Sequence, residues 1–249
     1  MLELQQLSKH FGGVRAVDGV DLAVAQGEIL GLIGPNGSGK STTVNLICGL
    51  FPLTAGRVMF KGQDISGLPP HERVALGIAR TFQNIRLFGQ LTVWQNLWVA
   101  QNSAQHRQEN LFRRWLGGVG NARKETGRIL EFFDLAHKRD ELAGNLAFGE
   151  QRRLEFARAF SASPSLLLLD EPAAGMNAEE IDQLDARIRK IRDHGMAVIL
   201  IEHHVELVMS VADRIAVLNF GRKIAEGKPA AVQADPLVRE AYLGTAAVA

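Results

Sequence analysis

The sequence GPNGSGKST, from Gly34 to Thr42, determines how the rest of the chain is interpreted. It fits the pattern G-x-x-x-x-G-K-[ST] of a phosphate-binding loop, and it lies between a stretch typical of a buried strand and a stretch typical of a helix. Glycines in such a loop let backbone N–H groups turn inward around phosphate oxygens, and the following helix directs its positive end at the same anion. The candidate nucleotide-binding residues are therefore Gly34, Pro35, Asn36, Gly37, Ser38, Gly39, Lys40, Ser41 and Thr42.

Two acidic residues later in the chain complete the chemistry expected of this loop. The stretch LLLLDEP, Leu166 to Pro172, predicts a buried strand that ends in two carboxylates. Lys40 can reach the outer phosphates of a nucleotide, and Ser41 can bind Mg²⁺. Asp170 would orient the same Mg²⁺, directly or through water. Glu171 follows at the carboxyl end of the strand, where open sheets hold their ligands, and could accept a proton from an attacking water.

The composition is that of an ordinary soluble globular chain. Of its 249 residues 46% are hydrophobic and 22% are charged, and the net charge of +1 produces no field that would favour nucleic acid or anionic lipid. The one cysteine, Cys48, rules out an intramolecular disulfide framework and fits a reducing compartment. We expect no signal peptide, and the apolar runs are too short to span a bilayer, so work at a membrane would require a partner.

The pattern of apolar residues predicts an α/β protein. LELQQL near the N terminus and VDLAV at Val20–Val24 alternate apolar and polar residues, which is typical of half-buried antiparallel strands. From about Thr92 to Phe160 the pattern is helical, and after that buried strands and helices alternate again, with a hairpin expected across Phe220–Gly221. We predict one domain: a core of about residues 1–86 and 160–226 with an antiparallel β subdomain, a helical subdomain of about 87–159, and a tail of about 227–249.

The segment NLAFGEQRRLEFARAF, Asn145 to Phe160, resembles the signature segment of ATP-binding cassette (ABC) ATPases. The resemblance implies an ABC ATPase fold with a RecA-like core, and a head-to-tail dimer in which the signature of one subunit caps ATP held by the phosphate loop of the other. A helix beginning here would offer free N–H groups to a partner's γ-phosphate. The signature residues would be Ala147, Phe148, Gly149 and Glu150. Ala147 replaces the usual serine, and Glu150 replaces the usual glutamine and adds a negative charge near phosphate.

Further positions match the same family. Gln83 in RTFQN corresponds to the glutamine that contacts Mg²⁺ or the attacking water, and His203 in LIEHHVE corresponds to the switch histidine after the last core strand. Phe11 in KHFGG corresponds to the aromatic residue that stacks on adenine. AAGMN, Ala173 to Asn177, corresponds to a dimer-contact loop, with asparagine where aspartate is commoner. The resemblance therefore implies Glu171, His203 and Gln83 as catalytic residues, and Ser41, Gln83 and Asp170 as the Mg²⁺ site.

Longer stretches narrow the resemblance to one subfamily. RTFQNIRLFGQLTVWQNLWVAQ, LAFGEQRRLEFARA, DEPAAGMN and the terminal REAYLG look most like the first ATPase subunit of branched-chain amino acid importers. This implies ATP and Mg²⁺ as cofactors and a peripheral position on the cytoplasmic face of the membrane. The implied partners are two permease subunits, a second ATPase subunit, either identical or related, and indirectly an extracytoplasmic binding protein. Importers of amides or urea, and a lipopolysaccharide-export ATPase, are similar alternatives.

Two other classes of function compete with transport. ABC ATPases of DNA repair or chromosome organisation usually carry long coiled coils or zinc-binding insertions, and this chain has neither sustained heptads nor paired cysteines. A nucleotide-binding switch without hydrolysis would not require Glu171 and His203. The arginine-rich stretch remains open between a solvated face and a partner-binding surface; its members are Arg107, Arg113, Arg114, Arg123 and Arg128.

Overall fold

The computed structural model describes residues 1–81, 85–101 and 119–243, and of residues 119–123 and 243 it describes the backbone alone. The strands are β1 (Leu2–Phe11), β2 (Val14–Val24), β3 (Ile29–Ile33), β4 (Ala55–Phe60), β5 (Gln63–Asp64), β6 (Ile78–Arg80), β7 (Leu166–Asp170), β8 (Ala197–Ile201), β9 (Arg214–Asn219) and β10 (Arg222–Gly227). The helices are α1 (Lys40–Ile47), α2 (Pro70–Ala75), α3 (Val93–Gln101), α4 (Val119–Phe132), α5 (Phe148–Ser161), α6 (Ala178–Asp193), α7 (Val205–Val211), α8 (Pro229–Ala234) and α9 (Pro236–Leu243).

The N-terminal strands form an antiparallel sheet in the order β2-β1-β4-β5. Leu4 of β1 lies opposite Leu22 of β2 and Val58 of β4, and all three side chains are buried. Their polar neighbours along each strand point to the other face, because side chains alternate across a pleated sheet. The prediction of half-buried antiparallel strands in this region is confirmed.

The second sheet has the order β10-β9-β3-β8-β7-β6, and it is parallel except for β10. Every residue of β3, β7 and β8 is buried, which explains why these strands are apolar apart from Asp170 at the end of β7, since a parallel sheet is covered on both faces. The carboxyl ends of parallel strands meet at one edge. Gly34, the Asp170–Glu171 pair and the Glu202–His203 pair are therefore brought to the same edge.

The six-stranded sheet separates two hydrophobic cores. Leu30 and Leu32 of β3 pack into a core shared with β1, β2, β4 and α1. Ile29 and Ile33 of the same strand point the opposite way, into a core shared with α5, α6 and α7. The phosphate loop thus leaves a strand that is anchored on both faces, which fixes the position of the loop relative to the sheet.

Helices α3, α4 and α5 follow β6 and precede β7. Phe133, just after α4, lies at the centre of an aromatic cluster, with ring centroids 5.0 Å from Phe132, 5.1 Å from Phe156 and 5.8 Å from Phe160. These contacts tie α4 to α5. The proposed domain boundaries stay a prediction.

The C-terminal part contains the predicted hairpin. Strands β9 and β10 pair antiparallel on either side of Phe220 and Gly221, which have positive φ values of 45° and 78°. Positive φ at both central residues suits a tight turn between twisted strands, so the hairpin prediction is confirmed. Across the described ranges, no helix is both long enough and apolar enough to cross a membrane.

Candidate nucleotide site

An open cleft of about 840 Å³ lies over the phosphate loop. It is lined by Phe11, Val14, Arg15, Ala16, Asn36, Gly37, Ser38, Gly39, Lys40, Ser41, Thr42, Glu171, His203 and Phe220. Gly39 has a φ of 105°, and a β-carbon there would collide with the carbonyl oxygen of Ala16. Only glycine fits this position, so the close approach of strand β2 to the loop accounts for one of the glycines in the motif.

Lys40 points into the loop that precedes it. Its Nζ donates to the carbonyl oxygens of Gly34 at 2.7 Å and Pro35 at 3.0 Å. Burial lowers the pKa of Lys40, and the nearby carboxylates of Glu171 and Asp170 oppose that shift. The ammonium group is thus held in the cleft by loop carbonyls, which phosphate oxygens can replace as stronger, charge-assisted acceptors.

Ser38 provides a further sign that the loop suits an anion. Its Oγ is buried and has no hydrogen-bond partner among the described residues. An unpaired buried hydroxyl is unfavourable, and a ligand with acceptor oxygens would satisfy it.

Glu171 and His203 meet at the edge of the cleft. The His203 Nε2 atom lies 2.7 Å from Glu171 Oε1, and the Glu171 side chain is largely buried. Glu171 has a φ of 49°, an uncommon backbone conformation for a residue with a side chain, and such strain is concentrated at functional sites. The two residues predicted to work together are therefore in direct contact and line the same cleft as the phosphate loop.

Glu202, which sequence reasoning missed, supports this arrangement. It is buried, and its carboxylate accepts from the backbone N–H groups of Ala173 at 2.7 Å and His203 at 3.0 Å. It therefore ties His203, two residues after β8, to the loop after Glu171. Its position directly after a buried strand is the signal that could have identified it, since Glu171 was recognised by the same criterion.

Asp170 lies at the end of β7 and forms an ion pair with Arg80, whose Nη2 is 2.6 Å from Asp170 Oδ2. A serine hydroxyl and a carboxylate are hard oxygen ligands that suit Mg²⁺, which usually keeps few protein ligands and binds substrate phosphates as well. Among the described residues no group of three or more His, Cys, Asp or Glu could hold a metal. Ser41 and Asp170 thus fit a metal ion that ATP helps to bind, while the predicted ligand Gln83 lies outside the described residues.

Phe11 lies at the rim of the cleft and is 44% exposed. Its ring packs edge-on against Phe51, with centroids 5.4 Å apart, and the Lys9 ammonium lies 4.9 Å from the ring centroid. A ring supported in this way and still exposed is suited to stacking on a planar base.

The signature residues lie at the N terminus of α5, and none of them lines the phosphate cleft of the same chain. Ala147 is the N-cap residue, and its N–H donates to Glu150 Oε2 at 3.0 Å. A β-carbon on Gly149 would lie 2.6 Å from Glu180 Oε1. Because this oxygen is the end of a flexible side chain, a larger residue at position 149 would only require Glu180 to shift. Glu150 has a capping role that sequence reasoning did not foresee.

Comparison with known families and proteins identifies the chain. The family described as ABC transporter matches residues 17–174, which is more than half of the chain. The chain belongs to the ABC transporter family. A second family, described as branched-chain amino acid ATP-binding cassette transporter, matches residues 222–248.

Individual ABC proteins match almost end to end. The high-affinity branched-chain amino acid transport ATP-binding protein BraF of Pseudomonas aeruginosa is 42% identical over 256 residues, covering 99% of this chain and 98% of that protein. LivG of Escherichia coli K12, with the same description, is 40% identical over 253 residues, with coverage of 99% and 98%. A solved nucleotide-free ATP-binding cassette from an ABC transporter has a TM-score of 0.85 and 32% identity, covering 98% of this chain and 99% of the other.

These matches confirm the predicted ABC ATPase fold and the predicted function as the ATP-binding ATPase of an ABC system. The roles of single residues stay predictions.

Proposed function

We propose that this chain is the ATP-hydrolysing subunit of an importer of branched-chain amino acids. Hydrolysis is supported by one observation above the others, the contact of His203 with Glu171 at the edge of the phosphate cleft. The solute is inferred from the similarity to BraF and LivG and from the family match at residues 222–248.

The cleft suggests how the chain would hydrolyse ATP. Phe11 would stack on the adenine, and residues 34–42 would surround the phosphates with backbone N–H groups, with Lys40 on the outer phosphates. Glu171 would accept a proton from the attacking water. His203 can orient the Glu171 carboxylate through their hydrogen bond and contact the γ-phosphate. Ser41, Asp170 and Gln83 would hold Mg²⁺, which neutralises charge on the phosphate oxygens.

A partner ATPase subunit would complete the site. The signature residues 147–150 lie away from the cleft of their own chain, so they are available to an ATP bound by a second subunit. Ala147 has no hydroxyl to donate, and the contact would therefore rely on backbone N–H groups at the start of α5. ATP binding would close this head-to-tail dimer, and hydrolysis would reopen it.

The region after β6 suits contact with a permease on the cytoplasmic face of the membrane. Phe88, Trp98, Val99 and Leu142 are exposed large apolar residues in or near α3. Exposed apolar residues of this kind are typical of protein–protein contact sites. We expect this surface, which overlaps residues 85–99, to pass the closing motion of the dimer to the permease.

The proposal is tested by purifying the complex and measuring transport. The tagged chain is isolated from gently solubilised membranes, its partners are identified by mass spectrometry, and the complex is reconstituted into vesicles. We expect two permease subunits, a second ATPase subunit, and ATP-dependent uptake of labelled leucine, isoleucine or valine. Transport of an amide or of lipopolysaccharide without branched-chain amino acid uptake would overturn the proposed solute, and recovery without any membrane partner would overturn the importer.

A further inference from the structure

Arg80 is the last residue of β6, and its side chain contacts both Asp170 and Asn45 inside the protein. Its Nη2 donates to Asp170 Oδ2 at 2.6 Å, and its Nη1 donates to Asn45 Oδ1 at 2.6 Å. The Arg80 side chain is 10% exposed and that of Asp170 is 6% exposed. One planar guanidinium group therefore bridges the end of β7 and the middle of α1.

Asp170 and Asn45, which Arg80 contacts, are both related to the proposed metal ligands in the described part of the chain, which are Asp170 and Ser41. Asp170 is one of those ligands. Asn45 follows the other, Ser41, by four residues in α1, so the two side chains lie on the same face of the helix, one turn apart. The bond to Arg80 uses Oδ2 of Asp170, which leaves Oδ1 for a cation. Arg80 thus orients the carboxylate and sets its spacing from the helix that carries Ser41.

We infer that Arg80 is a positioning residue for the metal site, which holds Asp170 and α1 in the arrangement that a nucleotide-bound divalent cation requires. This inference rests on the proposed function, because it needs Ser41 and Asp170 to be the ligands. Changing a residue that orients a metal ligand typically lowers metal affinity or activity by about 10- to 100-fold.

A contribution to stability alone is a weaker account of the same contacts. In a buried ion pair the loss of hydration offsets most of the attraction between the charges, so such a pair is a poor source of net stability. The guanidinium fork has a specific geometric use here, since a lysine would keep the charge but could not bond both Asp170 and Asn45 with a fixed geometry. Arg80→Lys therefore separates orientation from charge.

The test measures metal affinity directly. Wild-type protein saturated with ADP is titrated with Mn²⁺, which accepts the same oxygen ligands as Mg²⁺, and free Mn²⁺ is followed by electron paramagnetic resonance. The same titration is made on Arg80→Lys, Asn45→Ala, the double variant, and Asp170→Asn as the control that removes a ligand. ADP affinity in EDTA is measured for each variant, because it reports a folded phosphate loop without the metal.

We expect Arg80→Lys to weaken Mn²⁺ binding about tenfold while ADP affinity in EDTA is unchanged. Asn45→Ala should weaken Mn²⁺ binding in the same direction by less. The double variant should bind Mn²⁺ as Arg80→Lys does, because Asn45 acts through Arg80. If Arg80→Lys fails to fold, Asn45→Ala decides the question, and a wild-type Mn²⁺ affinity in that variant would overturn the inference.

The titrations distinguish a failure of the positioning role of Arg80 from a failure of the proposed metal site. If Arg80→Lys binds Mn²⁺ like the wild type while Asp170→Asn binds it weakly, Arg80 has no positioning role and the metal site stands. If wild-type protein with ADP holds Mn²⁺ no more tightly than ADP does in buffer, the proposed metal site fails, and the role of Arg80 fails with it.

Discussion

Helices α1 and α5 both begin at a residue without a capping side chain, Gly39 and Ala147, yet their first turns differ in charge. The first turn of α1 has no acidic residue and carries Lys40. The first turn of α5 carries Glu150, which accepts from the Ala147 N–H, and Glu180 lies beside Gly149. The N terminus of α1 is thus ready for an anion, whereas that of α5 already holds carboxylates of its own chain.

The difference suggests distinct thermodynamic roles. A phosphate at α1 meets a buried lysine and a positive helix end, so binding within one chain is favoured. A phosphate arriving at α5 must approach Glu150 and Glu180, which oppose it electrostatically. We therefore expect α1 to determine whether ATP is bound, and α5 to determine how readily a partner closes over it.

The largest expected effect is on the rate of ATP hydrolysis, and it concerns neither helix but Glu171, the proposed catalytic base. Glu171→Gln removes the carboxylate that would accept the proton of the attacking water, so the hydrolysis rate should fall about 10²- to 10⁴-fold. ATP binding should persist, because the phosphate loop is unchanged. Phosphate release and equilibrium binding are measured together, with the exposed Glu206→Gln as the matched control. Full turnover in Glu171→Gln would exclude Glu171 as the base.

The next largest effect is expected on ATP affinity, and it tests whether the N terminus of α1 binds the phosphates of ATP. Lys40→Ala removes an ammonium group that would bond the outer phosphates, and ATP affinity should fall by about 10- to 100-fold, as expected for a charge-assisted hydrogen bond. Titration with a fluorescent ATP analogue measures this change. Lys190→Ala, at an exposed position in the last turn of α6, is the control. Equal affinities in the two variants would contradict the phosphate role of Lys40.

Several features of the fold and of the site could be predicted from the sequence. The phosphate loop, the buried strands and the hairpin at Phe220–Gly221 are encoded by residues that are neighbours in the chain. Continuous apolar runs, glycines and turn residues therefore identified them. The edge of the sheet on which Glu171 and His203 meet also followed, since Glu171 comes directly after β7 and His203 lies two residues after the end of β8.

Contacts between distant parts of the chain could not be predicted in this way. The Arg80–Asp170 bond joins residues 90 positions apart, and the approach of Glu180 to Gly149 depends on how α6 packs against α5. Glu150 is the clearest case. The sequence indicated an added negative charge, but the hydrogen bond to the Ala147 N–H requires the three-dimensional structure of the helix end.

A smaller effect, on the melting temperature, is expected when α5 is given the capping side chain that it lacks. Ala147→Ser supplies an oxygen that can accept from the N–H of Glu150, and N-cap serines stabilise helices by about 1 kcal/mol. For a chain of this size that corresponds to a melting temperature about 2–4 °C higher. Thermal unfolding without nucleotide measures it, and Ala159→Ser, inside the same helix, should give no increase. An equal increase in both variants would show that capping is not the cause.

The smallest effect is expected on the ATP concentration that half-saturates hydrolysis. It separates the negative charge of Glu150 from the hydrogen bond that its side chain accepts from the Ala147 N–H. In Glu150→Gln the side-chain oxygen can still accept from the Ala147 N–H, so the cap is kept while the negative charge is removed. A charge at a helix terminus typically contributes 0.3–1 kcal/mol, so the ATP concentration that half-saturates hydrolysis by the purified complex should fall about two- to five-fold. Glu179→Gln, which removes an exposed charge from the first turn of α6, is the matched control. Should both variants leave that concentration unchanged, the partner's phosphate does not experience the charge at α5. The two helix ends would then differ in sequence but not in their response to ATP.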